Sequence, residues 1–384
     1  VLVIDKATFP RDKCCGDGLT TLALRELEAL GLLPEQVTNW MDVDSAWLRS
    51  PSGREVQVPL PSEGRYAAIA PRLDLDDALV RHARSLGVEL AEGHGLNTAS
   101  VSSAAVRDRG TAIDVDVTGI GTVRARQVIA ADGMWSPVRK ALGLNEAGYL
   151  GEWHAFRQYA QQVEGPASER LYVWFEKDLL PGYAWSFPLP GGRVNIGFGM
   201  LRSQGTKTGE MADLWADLLQ RPHIRAALGP RAELEGRHTA WPIPARINKA
   251  VLSASRVMFV GDAAAATDVL TGEGIGQALL TGRLAAEAIC THNLLDPDAA
   301  RLAYQRAARH HLVADHQMSA ALGRVLRSER GARGALAVIS HSGDWGRRNF
   351  ARWMFEDEPR AVALTPKRWH RGFLKQPGAY AQAK

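Results

Sequence analysis

A short apolar run, Val257 to Val260, ends in Gly261-Asp262-Ala263-Ala264 and is followed by Gly272-Glu273-Gly274-Ile275-Gly276 and an apolar helix. Strand, acidic turn and glycine-lined helix start, in that order, confine the chain to an α/β design. The first N–H groups of a helix have no partner inside it, so those of residues 274–276 are predicted to face a phosphate or a ring system. Asp262 can accept a hydroxyl proton from a ribityl-like chain. A second segment of the same kind lies upstream: Val128-Ile129-Ala130-Ala131-Asp132-Gly133, then Met134-Trp135-Ser136-Pro137-Val138-Arg139.

The chain opens on Val1-Leu2-Val3-Ile4-Asp5-Lys6. An apolar run ending in an acid is the second strand of a dinucleotide-binding fold, with the acid on the ribose hydroxyls. The first strand and its G-x-G-x-x-G loop belong about 20 residues earlier. No later segment supplies them, because Gly197-Phe198-Gly199 runs into Met200-Leu201-Arg202 rather than a helix start. The sequence therefore reads as a piece of a longer protein, truncated before that first strand.

Antiparallel signals interrupt these strand–helix elements. Residues 45–70 alternate and turn, and residues 153–199 read as longer strands. Helices are predicted over Leu19–Leu33, Arg72–Leu86 (stopped by Gly87), Thr206–Leu219, 274–290, 298–328 and 331–354, the last with a break near Gly343. A hydrophobic content of 46% over 384 residues is enough for a large core. No apolar run approaches the ~20 residues of a membrane span. Three cysteines make no disulfide framework and fit a reducing compartment. Adjacent Cys14 and Cys15 are poor disulfide partners, and Cys290 reads as a buried helix residue. His310, His311 and His316 lack the spacing of a metal pair, so no metal site is expected. Glu287 and Asp315 read as solvated helix charges.

The net charge of +4 is uneven, since residues 345–384 carry nine Lys/Arg against three acids. Trp345, Phe350, Trp353, Phe355, Trp369 and Phe373 interleave with those cations. That pattern suits either an anionic membrane surface or a basic tail folded over the core. Without a recognised module, nucleic-acid binding is not expected.

Lys13-Cys14-Cys15-Gly16-Asp17-Gly18 follows the opening strand, and its glycines allow close backbone approach to a ligand. Further on, Tyr183-Ala184-Trp185-Ser186-Phe187-Pro188 precedes Gly197-Phe198-Gly199 by eight residues. Tyr183, Trp185 and Phe187 share one strand face and would make an apolar wall. The two acidic turns resemble the downstream fingerprints of FAD-dependent oxidoreductases built like aromatic hydroxylases. With the Lys-x-Cys and aromatic-x-Trp-x-Phe-Pro segments added, the chain resembles the geranylgeranyl reductase family from residue 1 to about 330.

The resemblance implies a parallel-sheet FAD domain from residues 1–44, 66–150 and 245–295. An antiparallel substrate domain would comprise 45–65 and 151–244, and a helical region with the basic tail 296–384. It implies FAD contacts from Asp5, Cys15, Gly16, Gly18, Arg72, Leu96, Asp262, Gly274 and Ile275. Cys15 would be the catalytic proton donor or flavin-positioning group, and Tyr183, Trp185, Phe187, Gly197 and Gly199 the substrate wall. The implied reaction saturates C=C bonds of a polyprenyl chain on a lipid or quinone such as menaquinone, with NAD(P)H a candidate electron donor. The implied location is cytoplasmic or peripheral on the inner membrane face. An aromatic hydroxylase fits the acidic turns equally well, but not the aromatic and Lys-x-Cys segments. An inactive remnant is the third reading.

Overall fold

The computed structural model describes residues 1–98, 105–202, 208–292, 296–369, 373 and 375–381. The opening strand Leu2–Asp5 pairs in parallel with Glu89–Glu92, which follows the helix Arg72–Ser85. That helix stops where Gly87 takes a left-handed backbone (φ 83°), which glycine adopts at little steric cost. The two acid-turn strands also meet: Val128–Ala130 lies parallel to Val257–Phe259. Phe259 and Val260 are buried against Leu280, Leu284 and Tyr304 of the helices Ile275–Thr291 and Pro297–Leu326. Tyr304 also donates its hydroxyl to the Phe259 carbonyl at 2.5 Å.

A large, mostly antiparallel sheet forms the other half. Among the described residues its order is Glu233–Ile243, Trp153–Gln161, Arg193–Leu201, Tyr183–Leu189, Leu171–Trp174, Ser45–Arg49 and Glu55–Pro59. Strand 45–49 joins the others through a parallel pairing with 171–174, so the 45–65 segment enters as an edge hairpin. The helices Thr208–Gln220 and Pro222–Leu228 cover one face, where Met211, Trp215 and Ile224 meet Phe156 and Phe198. The predicted start of the first of these, at 206–207, lies outside the described residues.

The C-terminal region is less free than its composition suggests. Leu336 and Ile339 of the helix Glu329–His341, and Ala351 of the helix Gly343–Met354, pack on Val56 and Val58 of the edge hairpin. Several tail cations are spent inside the molecule. Arg352 reaches Asp357 at 2.6 Å, Arg368 reaches Asp315 at 2.8 Å, and Arg360 is buried. Asp315 is thus an ion-pair partner rather than a solvated charge, and Cys290 is exposed rather than buried. Arg371 and Lys384 lie outside the described residues. No helix among the described residues is long and apolar enough to cross a membrane.

Asp357 holds two cations at once, because Arg25 also reaches it at 2.5 Å. Removing one partner of a buried pair strands the remaining charge in a medium that solvates it poorly. Asp357→Ala is expected to lower stability by about 3–5 kcal/mol, read from the denaturant midpoint. An unchanged midpoint would show that the tail is not anchored there.

Candidate active site

The two halves enclose a cavity of about 590 Å³. One wall is bare backbone: Gly16 and Gly18 from the cysteine loop, Gly133 after the first acidic turn, Gly261, Gly272 and Gly274 around the second. The aromatic strand packs directly on that cysteine loop, since a Cβ on Gly16 would stand 3.5 Å from the Phe187 ring and 3.6 Å from the Trp185 ring. Tyr183, Trp185 and Phe187 all face inward, while Ala184 and Ser186 point into the packed layer behind the sheet. Two of the rings fit because their cross-strand partners are glycines: Tyr183 lies opposite Gly199, and Trp185 opposite Gly197, while Phe187 lies opposite Asn195. A Cβ on Gly197 would stand 2.5 Å from the Trp185 ring and 2.3 Å from the Phe156 carbonyl. Gly197 therefore makes room for the wall without being part of it.

The cysteine loop is pinned from beneath. Asp17 sits in a left-handed conformation (φ 64°) and is fully buried. Its carboxylate accepts from the Tyr159 hydroxyl at 2.6 Å, from Asn195 Nδ2 at 2.7 Å and from the Arg72 backbone N–H at 3.3 Å. Burial pushes its pKa up to about 6 in spite of those donors. Asn195 Nδ2 and Arg157 Nε both donate to the Cys15 carbonyl, at 2.9 and 3.1 Å. Arg157 is itself buried and ion-paired with Asp12 at 2.9 Å. Cys14 and Cys15 are free thiols. Burial pushes the Cys15 thiol up to about 11, so it stays neutral at pH 7. Arg72 lies within electrostatic reach of that sulfur and is held charged by Asp76 at 2.7 Å.

The second acidic turn closes the far end. Asp262 faces the cavity and approaches Lys13 at 3.7 Å and Thr267 Oγ1 at 3.3 Å. In the first turn, Asp132 Oδ2 accepts the Val138 N–H at 2.9 Å, capping the helix Pro137–Ala141, while its buried Oδ1 has no partner. One expectation is corrected here. The N–H groups of Ile275 and Gly276 do not face the cavity as free donors; the Glu273 carboxylate takes both, at 2.9 and 3.3 Å. A flexible carboxylate two residues back satisfies orphan helix donors more cheaply than leaving them bare.

Of the residues singled out in the sequence, Cys15, Gly16, Gly18, Arg72, Asp262, Gly274, Ile275, Tyr183, Trp185, Phe187 and Gly199 line this one cavity. Asp5 and Leu96 stand apart. Asp5 accepts the Ala7 N–H at 2.8 Å on its own turn, and Leu96 bridges to Val117. Sequence reasoning missed Asn195 and Arg157, which carry no local motif, and Asp17, which lay inside the quoted cysteine-loop motif. It also missed Glu273, which lay inside a quoted motif and was read only for its glycines. The helices that close the cavity, through Leu322, Leu326, Leu336, Phe350 and Trp353, were legible as helices but not as walls.

A cavity lined by glycine backbone, with Asp262 facing it beside the start of a helix, fits a flavin dinucleotide. The FAD binding domain family matches residues 1–281. A menaquinone reductase from Mycobacterium tuberculosis is 36% identical over 317 residues, covering 77% of this chain and 71% of the relative. The chain belongs to the geranylgeranyl reductase family of FAD-dependent oxidoreductases. Its relatives include a digeranylgeranylglycerophospholipid reductase from Methanopyrus kandleri, 27% identical over 75% of this chain and 70% of the relative. The fold recurs in a geranylgeranyl bacteriochlorophyll reductase-like protein from Thermoplasma acidophilum, with TM-score 0.75, 18% identity and coverage of 96% and 92%. It recurs too in a probable FAD-dependent monooxygenase from Pseudomonas aeruginosa, with TM-score 0.66, 21% identity and coverage of 88% and 92%. Cys15, Gly16, Gly18, Arg72, Gly274, Ile275 and Asp262 are the groups that would hold the flavin end of FAD.

Asp262→Ala is expected to weaken FAD binding roughly ten- to hundred-fold in a fluorescence titration, the loss of one charged hydrogen bond. Gly197→Ala is expected to lower stability by roughly 1–3 kcal/mol through overpacking against the Trp185 ring. Full stability in that variant would contradict the close approach of ring and backbone.

Proposed function

We propose that this oxidoreductase saturates C=C bonds in the polyprenyl chain of a menaquinone-type lipid. One observation carries the reading. The wall of Tyr183, Trp185 and Phe187 faces the cysteine loop and is extended by Leu322, Leu326, Leu336 and Ile339 from the C-terminal helices. A long hydrocarbon gains about 25 cal/mol for each Å² of apolar surface buried in such a groove. A phenol would want polar partners that this wall lacks. The likeness to a relative named menaquinone reductase favours a quinone over other prenyl lipids.

Reduced FAD supplies a hydride when bound. The protein's part is to align the alkene, exclude water and provide a proton. Of the two roles open to Cys15, a thiol pushed up to about 11 favours positioning the ring over acid catalysis. Asp5 and Leu96 would serve the adenosine end, and NAD(P)H would deliver the electrons. Exposed Trp345 and Trp369, beside Arg347 and Lys367, would rest on the inner membrane face where the substrate resides.

The test is anaerobic incubation of the dithionite-reduced flavoprotein with a prenylated quinone. Mass spectrometry is expected to show a gain of two hydrogens on the chain. Oxygen incorporation into an aromatic substrate in air would instead favour the hydroxylase reading. Trp185→Glu is expected to abolish prenyl reduction while FAD stays bound, with Trp185→Phe retaining most activity. Loss of FAD and activity together would remove the aromatic wall as the substrate site.

A further inference from the structure

Saturating an alkene consumes a proton, and the apolar cavity must receive it from somewhere. Glu273 lines the cavity. It lies within electrostatic reach of Cys15 on the flavin side and of Tyr183 on the substrate side. Behind it stands Glu356, which accepts from Thr20 Oγ1 and Gln277 Nε2, both at 2.9 Å. Glu356 holds a left-handed backbone (φ 60°), a conformation that costs a residue with a side chain and marks a position fixed by its surroundings.

The two carboxyls share the first turn of the helix Ile275–Thr291. Glu273 is bonded to the N–H groups of Ile275 and Gly276, and Glu356 to the side chain of the next residue, Gln277. Beyond Glu356 lies a second cavity of about 290 Å³, lined by polar and charged groups and extending to Arg25 and Arg283 at the surface. Arg360 and Thr267 border both cavities. Gln277 and Arg360 are 4% exposed, yet Gln277 Oε1 and Arg360 Nε have no hydrogen-bond partner. A cavity of this size lined by such polar groups has room and partners for water.

We propose that Glu273 and Glu356 are the proton supply of the active site, Glu273 facing the substrate and Glu356 linking it to the second cavity. The inference rests on the prenyl-reduction reading. As the hydride adds to one alkene carbon, the Glu273 O–H bond breaks and its proton forms the new C–H bond at the other carbon. The π bond is lost, and the flavin is oxidised by two electrons. The Glu273 carboxylate regains a proton from Glu356, which takes one from water in the second cavity.

The surrounding charges agree with this role. Burial and the neighbouring Glu356 push Glu273 up to about 8. Burial pushes Glu356 up to about 7, with Asp268 raising it further and Arg360 opposing. Asp268 stays ionised despite its burial because Arg360 and Ser319 face it. The pair therefore keeps a proton at neutral pH, where an ordinary carboxyl has lost it. The folded state holds more protons than the unfolded chain between about 4.5 and 8, so this pair's contribution to stability falls as pH rises through that window.

Glu273→Gln keeps an oxygen for the Ile275 N–H and tests the idea in the FAD-loaded enzyme. Single-turnover reduction of a prenylated quinone is expected to slow roughly a hundred-fold with FAD content unchanged. Glu356→Gln is expected to slow successive turnovers more than the first. A second readout needs no turnover. The infrared band of a protonated carboxyl, shifted in D₂O, is expected in the oxidised protein at pH 7 and lost in Glu273→Gln. The fall in stability from pH 4.5 to 8 is expected to flatten in the same variant. Wild-type single-turnover rates in Glu273→Gln, or an unchanged infrared band, would overturn the proposal. If the wild-type enzyme leaves the prenyl chain unreduced, the functional reading fails, and the infrared band still decides whether the pair stores a proton.

Discussion

The cavity depends on one buried carboxylate. Asp17 joins the cysteine loop, through Tyr159 and Asn195, to two strands of the large sheet, and through the Arg72 N–H to the helix Arg72–Ser85 that borders the cavity. A carboxylate removed from water is tolerated when donors surround it, and three do so here. Asn195 and its neighbour on the sheet, Arg157, also hold the Cys15 carbonyl, so loop, sheet and helix are tied together. The glycines of the cysteine loop and the aromatic strand keep their relative position because that joint fixes it.

Charge is handled differently on the two sides of the cavity. Arg72 is matched by Asp76, which Arg11 also reaches at 2.5 Å, leaving a compensated cluster beside the cysteine loop. Glu273 and Glu356 have fewer counter-charges. Arg360 stands 3.6 Å from Glu356 and 3.9 Å from Asp268, so one cation faces several buried acids. Such a cluster settles by retaining a proton, since like charges in a weakly polarisable interior repel strongly. A fold that only needed rigidity would gain by replacing such a group with an apolar one.

The basic tail shows how composition misleads when contacts are unknown. Its excess of cations reads equally as a membrane-binding surface or a folded cover. Arg352, Arg360 and Arg368 are committed to internal partners, and Phe350, Trp353 and Phe355 line the cavity. The exposed remainder, with Trp345 and Trp369, is what a surface could still touch.

The sequence by itself determined the parts whose signals are local. Val257 to Asp262 and Val128 to Gly133 announce strand and acidic turn, because a buried strand must be apolar and its turn must free the backbone. Alternation places Tyr183, Trp185 and Phe187 on one face, because strand side chains alternate every residue. Only the tertiary structure decided which groups meet. Asp17, Tyr159 and Asn195 are far apart in the chain, and nothing in their neighbourhoods announces a shared bond. Glu273 was visible as a letter within a motif, but its meaning depends on Glu356, which a separate C-terminal segment brings to the same helix turn. Burial and charge pairing are properties of three-dimensional neighbours, and no window of sequence contains both partners.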